Sequence, residues 1–376
     1  MPVDPVLSGY SDLLFKGALT VYVIAMAFYA IEYVSSRSRV RTAEAESGSA
    51  AVSTSSASAG SAAGTVGEAE GAAAAAVGST SVTTVVEMPP TAGGSEPPRS
   101  ALADEIPAPA RRRPARARSD RFGRMAVALT ILAVVLHLGS IVLRGIATER
   151  WPLGNMYEFT SAICFAAIVA WLVVLQRTAP GRAQRPAPQG GRGLRKLGVF
   201  VLAPVLTLMV LAGTVLYAQA APVVPALRSY WLVIHVTTVS LATGLFIVPG
   251  VASILYLMKR SGKPAGFVAK LPAAESLDRL AYRVTIVGFP MYTFAVIAGA
   301  IWAEAAWGRF WGWDPKETVA FIAWVIYAAY LHARATAGWR TRGAAWINIV
   351  GLAAVIFNLF FVNMVIAGLH SYAGLG

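Results

Sequence analysis

The densest chemistry in this chain lies in the run AEAAWGRFWGWDPKET, residues 303–318. Trp307, Trp311 and Trp313 fall within seven positions and are interleaved with Gly308 and Gly312. Tryptophan collects at membrane–water interfaces, so one or two here would be ordinary. Three, spaced by glycines, offer broad apolar faces and a close backbone approach to a planar ring. If the stretch before Asp314 is helical, Trp307 and Trp311 share a face at i, i+4 spacing. The next residues fit a helix start, with Asp314 as N-cap, Pro315 in the first helical position and Glu317 completing a capping box. That role leaves room for a second one at either carboxylate.

The chain has only four histidines. His235 sits one turn into an apolar run, on the same face as Trp231, and His370 follows the last apolar run in GLHSYAG. Two histidines at one membrane level, flanking an aromatic platform, suggest a bis-imidazole metal site. Imidazole suits iron, and haem iron takes axial histidine. His332 lies about 15 residues into another run, on the cytoplasmic side of its middle, and His137 is near the centre of the second. Ionisable groups at such depth are costly and usually functional, although a helix–helix hydrogen bond would also account for either. Asn155 and Glu158, in WPLGNMYEF at 151–159, fit a helix cap and a first turn. Cys164 is the single cysteine, so the chain has neither an intrachain disulfide nor a CxxC motif.

The elements that must position these residues are membrane spans. The 376 residues are 56% hydrophobic and 14% charged, against roughly 25% charged in soluble domains. About 20 apolar residues cross a bilayer. Eight runs qualify: Leu13–Tyr33, Phe122–Ile146, Tyr157–Leu175, Leu197–Tyr217, Trp231–Met258, Tyr282–Trp302, Thr318–Ala337 and Ala344–Gly368. The expected fold is an all-α polytopic bundle. Residues 1–34 form the first helix, 35–121 a disordered, low-complexity linker with a basic end, and 122–376 a seven-helix core. The N-terminus lacks a basic stretch before its first apolar run, which argues against a cleaved signal peptide.

A net charge of +13 on a soluble protein would suggest nucleic acid. Here the basic residues cluster between apolar runs and read as a topology signal, with the lipid bilayer as partner and no nucleic acid. Arg37, Arg39 and Arg41, the stretch Arg177–Lys196, then Lys259, Arg260, Lys263 and Lys270, and finally Arg340 and Arg342 mark one side. The other connections carry fewer positives. Both termini are therefore expected outside and the linker in the cytoplasm. The WPLGNMYEF segment, the tryptophan-rich segment and the tail after Gly368 then share the outer surface.

On these residues the chain resembles a known family. Trp307-Gly-Arg-Phe-Trp-Gly-Trp-Asp-Pro-Lys-Glu317 is similar to the WWD signature of haem-handling proteins. The likeness is closest to the CcsA/ResC branch of System II cytochrome c maturation, called CcsB in some actinobacterial naming. It extends from about Phe122 to the C-terminus and includes WPLGNMYE and GLHSYAG. The resemblance implies a protein of the cell membrane that delivers haem b to its extracytoplasmic face, for attachment to apocytochrome c at CxxCH motifs. It implies that His235 and His370 are external haem ligands and that His332 receives haem from the inside. It also implies a ResB/CcsB-type membrane partner. His137 has no place in that scheme beyond a structural one or that of a substitute ligand.

Attachment adds two thiols across the haem vinyl groups, and positioning alone could supply most of its rate advantage. No acid–base pair stands out, so no residue is assigned as catalytic. The lone Cys164 cannot keep a substrate reduced, which calls for a thioredoxin-like thiol reductant. The main rival is a b-type electron-transfer cytochrome with His137 and His332 as ligands, which leaves the tryptophan segment and both outer histidines unexplained. A transporter of another small ligand would want midplane carboxylates and broken helices. The spans offer no such carboxylate, and only Pro204, Pro249 and Pro290 as interruptions. The System I relatives share the WWD signature, but chain length, WPLGNMYE and GLHSYAG favour System II.

Overall fold

The structure, a computed structural model, describes residues 3–35, 114–178, 192–222, 229–336, 342–366 and 368–369. Most of the expected linker, and His370, lie outside these residues. Among the described residues there is no strand, and eight helices are long and apolar enough to cross a membrane. They are α1 (Pro5–Ser35), α2 (Pro114–Thr148), α3 (Met156–Arg177), α4 (Gly198–Thr214), α5 (Tyr230–Ser261), α6 (Ala274–Trp307), α7 (Pro315–Ala335) and α8 (Arg342–Met364). A helix satisfies its own backbone polar groups, which is why apolar runs of this length take no other form in lipid. The chain is thus a multi-pass helical membrane protein.

Each expected span corresponds to one helix, but several helices run past the apolar stretch. The sixth is the clearest case, extending eight residues before Tyr282 and five beyond Trp302. Hydropathy stops at the charges of its first two turns, whereas the helix continues through them, with Asp278 paired to another helix. Asp278 Oδ1 accepts from Arg334 Nη1 at 2.8 Å, which ties the start of α6 to the end of α7.

Helix α5 is the axis of the bundle. It packs along α6 and is flanked by α3 and α8, with α7 lying against α8. Phe246 on α5 stacks on Tyr327 of α7, ring centroids 3.8 Å apart and planes 11° from parallel. A second core joins α1 to α4 through Phe15, Tyr22, Tyr29, Ile163 and Leu202.

Two buried ion-pair networks bind α1 and α2 to the rest. At one end Arg144, 2% exposed, meets Glu158 at 3.1 Å and Asp12 at 3.3 Å, and donates to the Ala218 carbonyl. Glu158 also takes Arg150 Nη1 at 2.8 Å and the Gly154 N–H at 2.8 Å. One carboxylate thus holds α2, α3 and the 150–154 turn together. At the other end buried Glu32 pairs with Arg195, which also reaches Asp120 at 3.2 Å. Asp12 and Glu32 are 20 residues apart on α1, about 30 Å along the axis. That is about the thickness of a bilayer's hydrocarbon core.

Removing one partner of a buried pair leaves an uncompensated charge and costs about 3–5 kcal/mol. Glu158→Ala is therefore expected to destabilise the protein by about that amount, and Asp12→Asn by less, because Asp12 is 20% exposed. Thermal unfolding in detergent measures both. A midpoint for Glu158→Ala equal to the parent's would contradict this reading of the network.

Candidate functional site

Helix α6 carries through Trp307 and stops at Gly308, whose φ of 71° is left-handed and whose N–H bonds to the Glu304 carbonyl at 2.8 Å. A residue with a Cβ is strained in that conformation. The stretch before Asp314 is therefore not helical throughout, and the shared helical face of Trp307 and Trp311 does not form. Trp313 is also left-handed, with φ 58°, which is rare for a bulky residue. Its ring is 67% exposed and meets Trp311 edge-on at 5.9 Å.

Carboxylates hold this loop. Glu317 Oε2 accepts from Gly312 N at 2.8 Å and Asp314 N at 3.1 Å, and Oε1 lies 3.5 Å from Arg309. The helix start expected from the sequence is present. Asp314 caps α7, Pro315 follows, and the Asp314–Glu317 capping box closes reciprocally. Asp314 has a second attachment as well, since its Oδ1 accepts the Leu369 N–H at 2.9 Å. The chain just before His370 is thereby tied to the tryptophan segment.

Beneath the loop is a cavity of about 170 Å3. It is walled by Trp302, Trp307, Phe310 and Trp311, and by Asn155 and Phe159 from the start of α3. His235, Lys316 and Glu317 also line it, with Asn358 and Asn363 of α8. The structure thus brings together His235, Trp307, Trp311, Glu317 and Asn155, which are scattered over more than 160 positions of sequence.

His235 is held on three sides. Its Nδ1 is 2.8 Å from the Ala295 carbonyl. A carbonyl only accepts, so Nδ1 donates and Nε2 keeps its lone pair. The imidazole lies parallel to Trp302, 8° between planes and 6.2 Å between centroids. It also packs where α6 has no side chain, since a Cβ on Gly299 would sit 2.7 Å from His235 Cε1.

Trp302, Lys316 and Asn363 are not among the site residues expected from the sequence. Trp302 is buried and meets Trp307 at 4.8 Å. Its one signal was its place at the end of an apolar run, where a tryptophan reads as an ordinary interfacial anchor.

The remaining candidates lie elsewhere. His332 falls in the last turn of α7 with its side chain exposed. The capping box starts the helix earlier than the apolar run suggests, so His332 is about 26 Å from Pro315 and further along than expected. His137 is fully buried between α1, α2 and α3. Its Nε2 bonds to Ser161 Oγ at 2.8 Å, and Phe15, Tyr22 and Phe165 meet its ring edge-on. That is the helix–helix contact, and His332 is not among its partners. The Trp231 ring lies tilted against Tyr230 and does not line the cavity. Asn155 caps α3, accepting from Glu158 N at 2.9 Å, and Glu158 belongs to the ion-pair network. Among the described residues no three His, Cys, Asp or Glu side chains converge as a metal cluster.

Comparison with known proteins supplies the family. Residues 127–370 match the family model described as Cytochrome C assembly protein. The cytochrome c biogenesis protein CcsA of Parasynechococcus marenigrum is 35% identical over 272 residues, covering 65% of this chain and 85% of the relative. The CcsA of Gloeobacter violaceus is 33% identical over 310 residues, covering 67% and 86%, and that of Guillardia theta 34% identical over 269 residues, covering 65% and 84%. By both measures this chain belongs to the CcsA/ResC family of cytochrome c biogenesis proteins.

Proposed function

We propose that this chain works in System II cytochrome c maturation, moving haem b to the cavity beneath the tryptophan loop and holding it there for attachment to apocytochrome c. The observation that carries the reading is His235. Its Nδ1 is committed to the Ala295 carbonyl and its Nε2 lone pair is left for the cavity. Metal-ligating histidines are typically oriented in this way through the second nitrogen. The indole walls suit a planar apolar ring, so the residues present fit haem. Bound there, haem supplies an iron for axial ligation and vinyl groups to which CxxCH thiols add.

The chain's own residues bind and orient. His235 would hold the haem iron from within the cavity, and His370, which follows the Asp314-anchored Leu369 in sequence, would be the second histidine to hold it. Trp307, Trp311 and Trp313, with Gly308 and Gly312 between them, form the platform. Orientation of this kind can account for much of the rate of a bimolecular addition. Cys164 is fully buried, which supports a separate thioredoxin-like reductant for the substrate thiols. His332 is exposed on the flank of α7, so an inner haem site there takes its second ligand from another chain, a ResB-type partner. The lysine and arginine distribution supports an orientation with the tryptophan loop and both termini on the extracytoplasmic side of the cell membrane.

Three outcomes test this reading. Topology reporters fused near Thr80 and after Gly376 are expected on opposite sides of the membrane, and finding them on one side would overturn the orientation. His235→Ala and His370→Ala are each expected to lower both haem at the outer site and cytochrome c maturation by roughly tenfold or more. Added imidazole should restore part of the loss by occupying the vacated axial position. Wild-type Soret absorbance and maturation in both variants would remove them as ligands. His332→Ala is expected to lower haem at both sites, whereas His370→Ala leaves some at the inner one. Full haem and full maturation in His332→Ala would reduce that residue to a helix-surface side chain.

A further inference from the structure

The cavity contains a positive charge whose direct side-chain contact is a neutral amide. Lys316 is half-buried and lines the cavity, and its ammonium donates to the Asn363 side-chain oxygen. That acceptor is neutral and engages one of three N–H groups. Among the described residues Lys316 makes no ion pair. The neighbouring carboxylates are turned to other donors. Asp314 takes the backbone N–H groups of Lys316 and Leu369. Glu317 takes those of Gly312 and Asp314 and faces Arg309. Much of the remaining wall is aromatic or aliphatic. A cation in such surroundings is costly unless an anion joins it.

We infer that Lys316, set by Asn363, binds a carboxylate of the ligand that fills this cavity. The inference rests on the haem reading above, in which that carboxylate is a haem propionate. Asn363 is itself fixed, since its Nδ2 donates to the Leu359 carbonyl at 2.7 Å and lies 3.4 Å from Met156 Sδ. That arrangement orients its oxygen towards the lysine, so the polar corner is organised before a ligand arrives. Charge-assisted hydrogen bonds to a carboxylate are among the stronger polar contacts available in a partly dry site. The propionates of haem b lie on the edge of the ring opposite its vinyl groups. Lys316 therefore acts as a positioning residue, selecting which edge is held and which is left for the thiols.

The test compares haem b with its dimethyl ester, which keeps iron, ring and vinyls but has no carboxylate. Both are titrated by Soret absorbance into the full-length protein in one detergent. Wild type is expected to favour haem over the diester at least tenfold more than Lys316→Met does. The variant should bind the diester as tightly as wild type, and Lys316→Arg should keep part of the preference. Asn363→Leu, which leaves the lysine in place, should reduce the preference and serves if Lys316→Met does not fold. Equal ratios in wild type and these variants overturn the inference. That is also the result if a lipid headgroup, rather than the ligand, occupies the lysine. Failure of wild type to bind either compound in a His235-dependent way overturns the haem reading itself, and is a distinct result.

Discussion

A peptide backbone inside a bilayer has no water to bond with, so irregular chain is confined to helix ends or to places where protein covers it. The candidate site follows from that constraint. The tryptophan segment can leave the helical path at Gly308 because α6 has reached the end of its span, and it must be returned to order before α7 begins. Two carboxylates do this. Glu317 satisfies the N–H groups of Gly312 and Asp314, and Asp314 caps α7 and holds Leu369. With those bonds made, Trp307 and Trp311 line one cavity with His235, and Leu369 is tied to the same loop. The same two side chains are thus the helix cap and the frame of the site.

The charged groups of the bundle obey the same constraint. The Arg144–Glu158 and Glu32–Arg195 networks lie near the two ends of α1 and bracket the apolar core. Each carboxylate there faces at least one guanidinium, and each network joins helices far apart in sequence. Lys316 differs. It is at the same end as Glu158, yet its contact is with an amide of α8 rather than a carboxylate, and it lines a cavity. The contrast between charges that hold the fold and one held in reserve sets Lys316 apart from the arginines of those networks.

Span number and helical class were readable because 20-residue apolar runs permit little else. The helix start at Asp314 was readable because capping chemistry is local. Helix length was less so. Hydropathy ends a span at its first charges, while Asp278 and Arg334 are paired with each other across two helices. Of the site, the sequence named His235 and the loop tryptophans through an unusual local pattern. Trp302 escaped because its role is tertiary. It is an ordinary interfacial tryptophan until the fold lays it parallel to an imidazole 67 positions away. Lys316 lies in one of the connections poorer in positive charge, and nothing local reveals that its amide partner is 47 positions further on.

Helix α7 sets the last geometric limit. Lys316 and His332 are 16 residues apart on it, about 24 Å along the axis. Between them the helix contains neither proline nor glycine, the residues that usually kink a helix, so it does not shorten that distance. One ring seated on Lys316 and His235 cannot also be ligated by His332. If both ends of α7 handle the same molecule, they do so in succession. The exposed imidazole of His332 stands at one end of α7, and the site at the Lys316 end is walled by side chains of α3, α5, α6, α7 and α8.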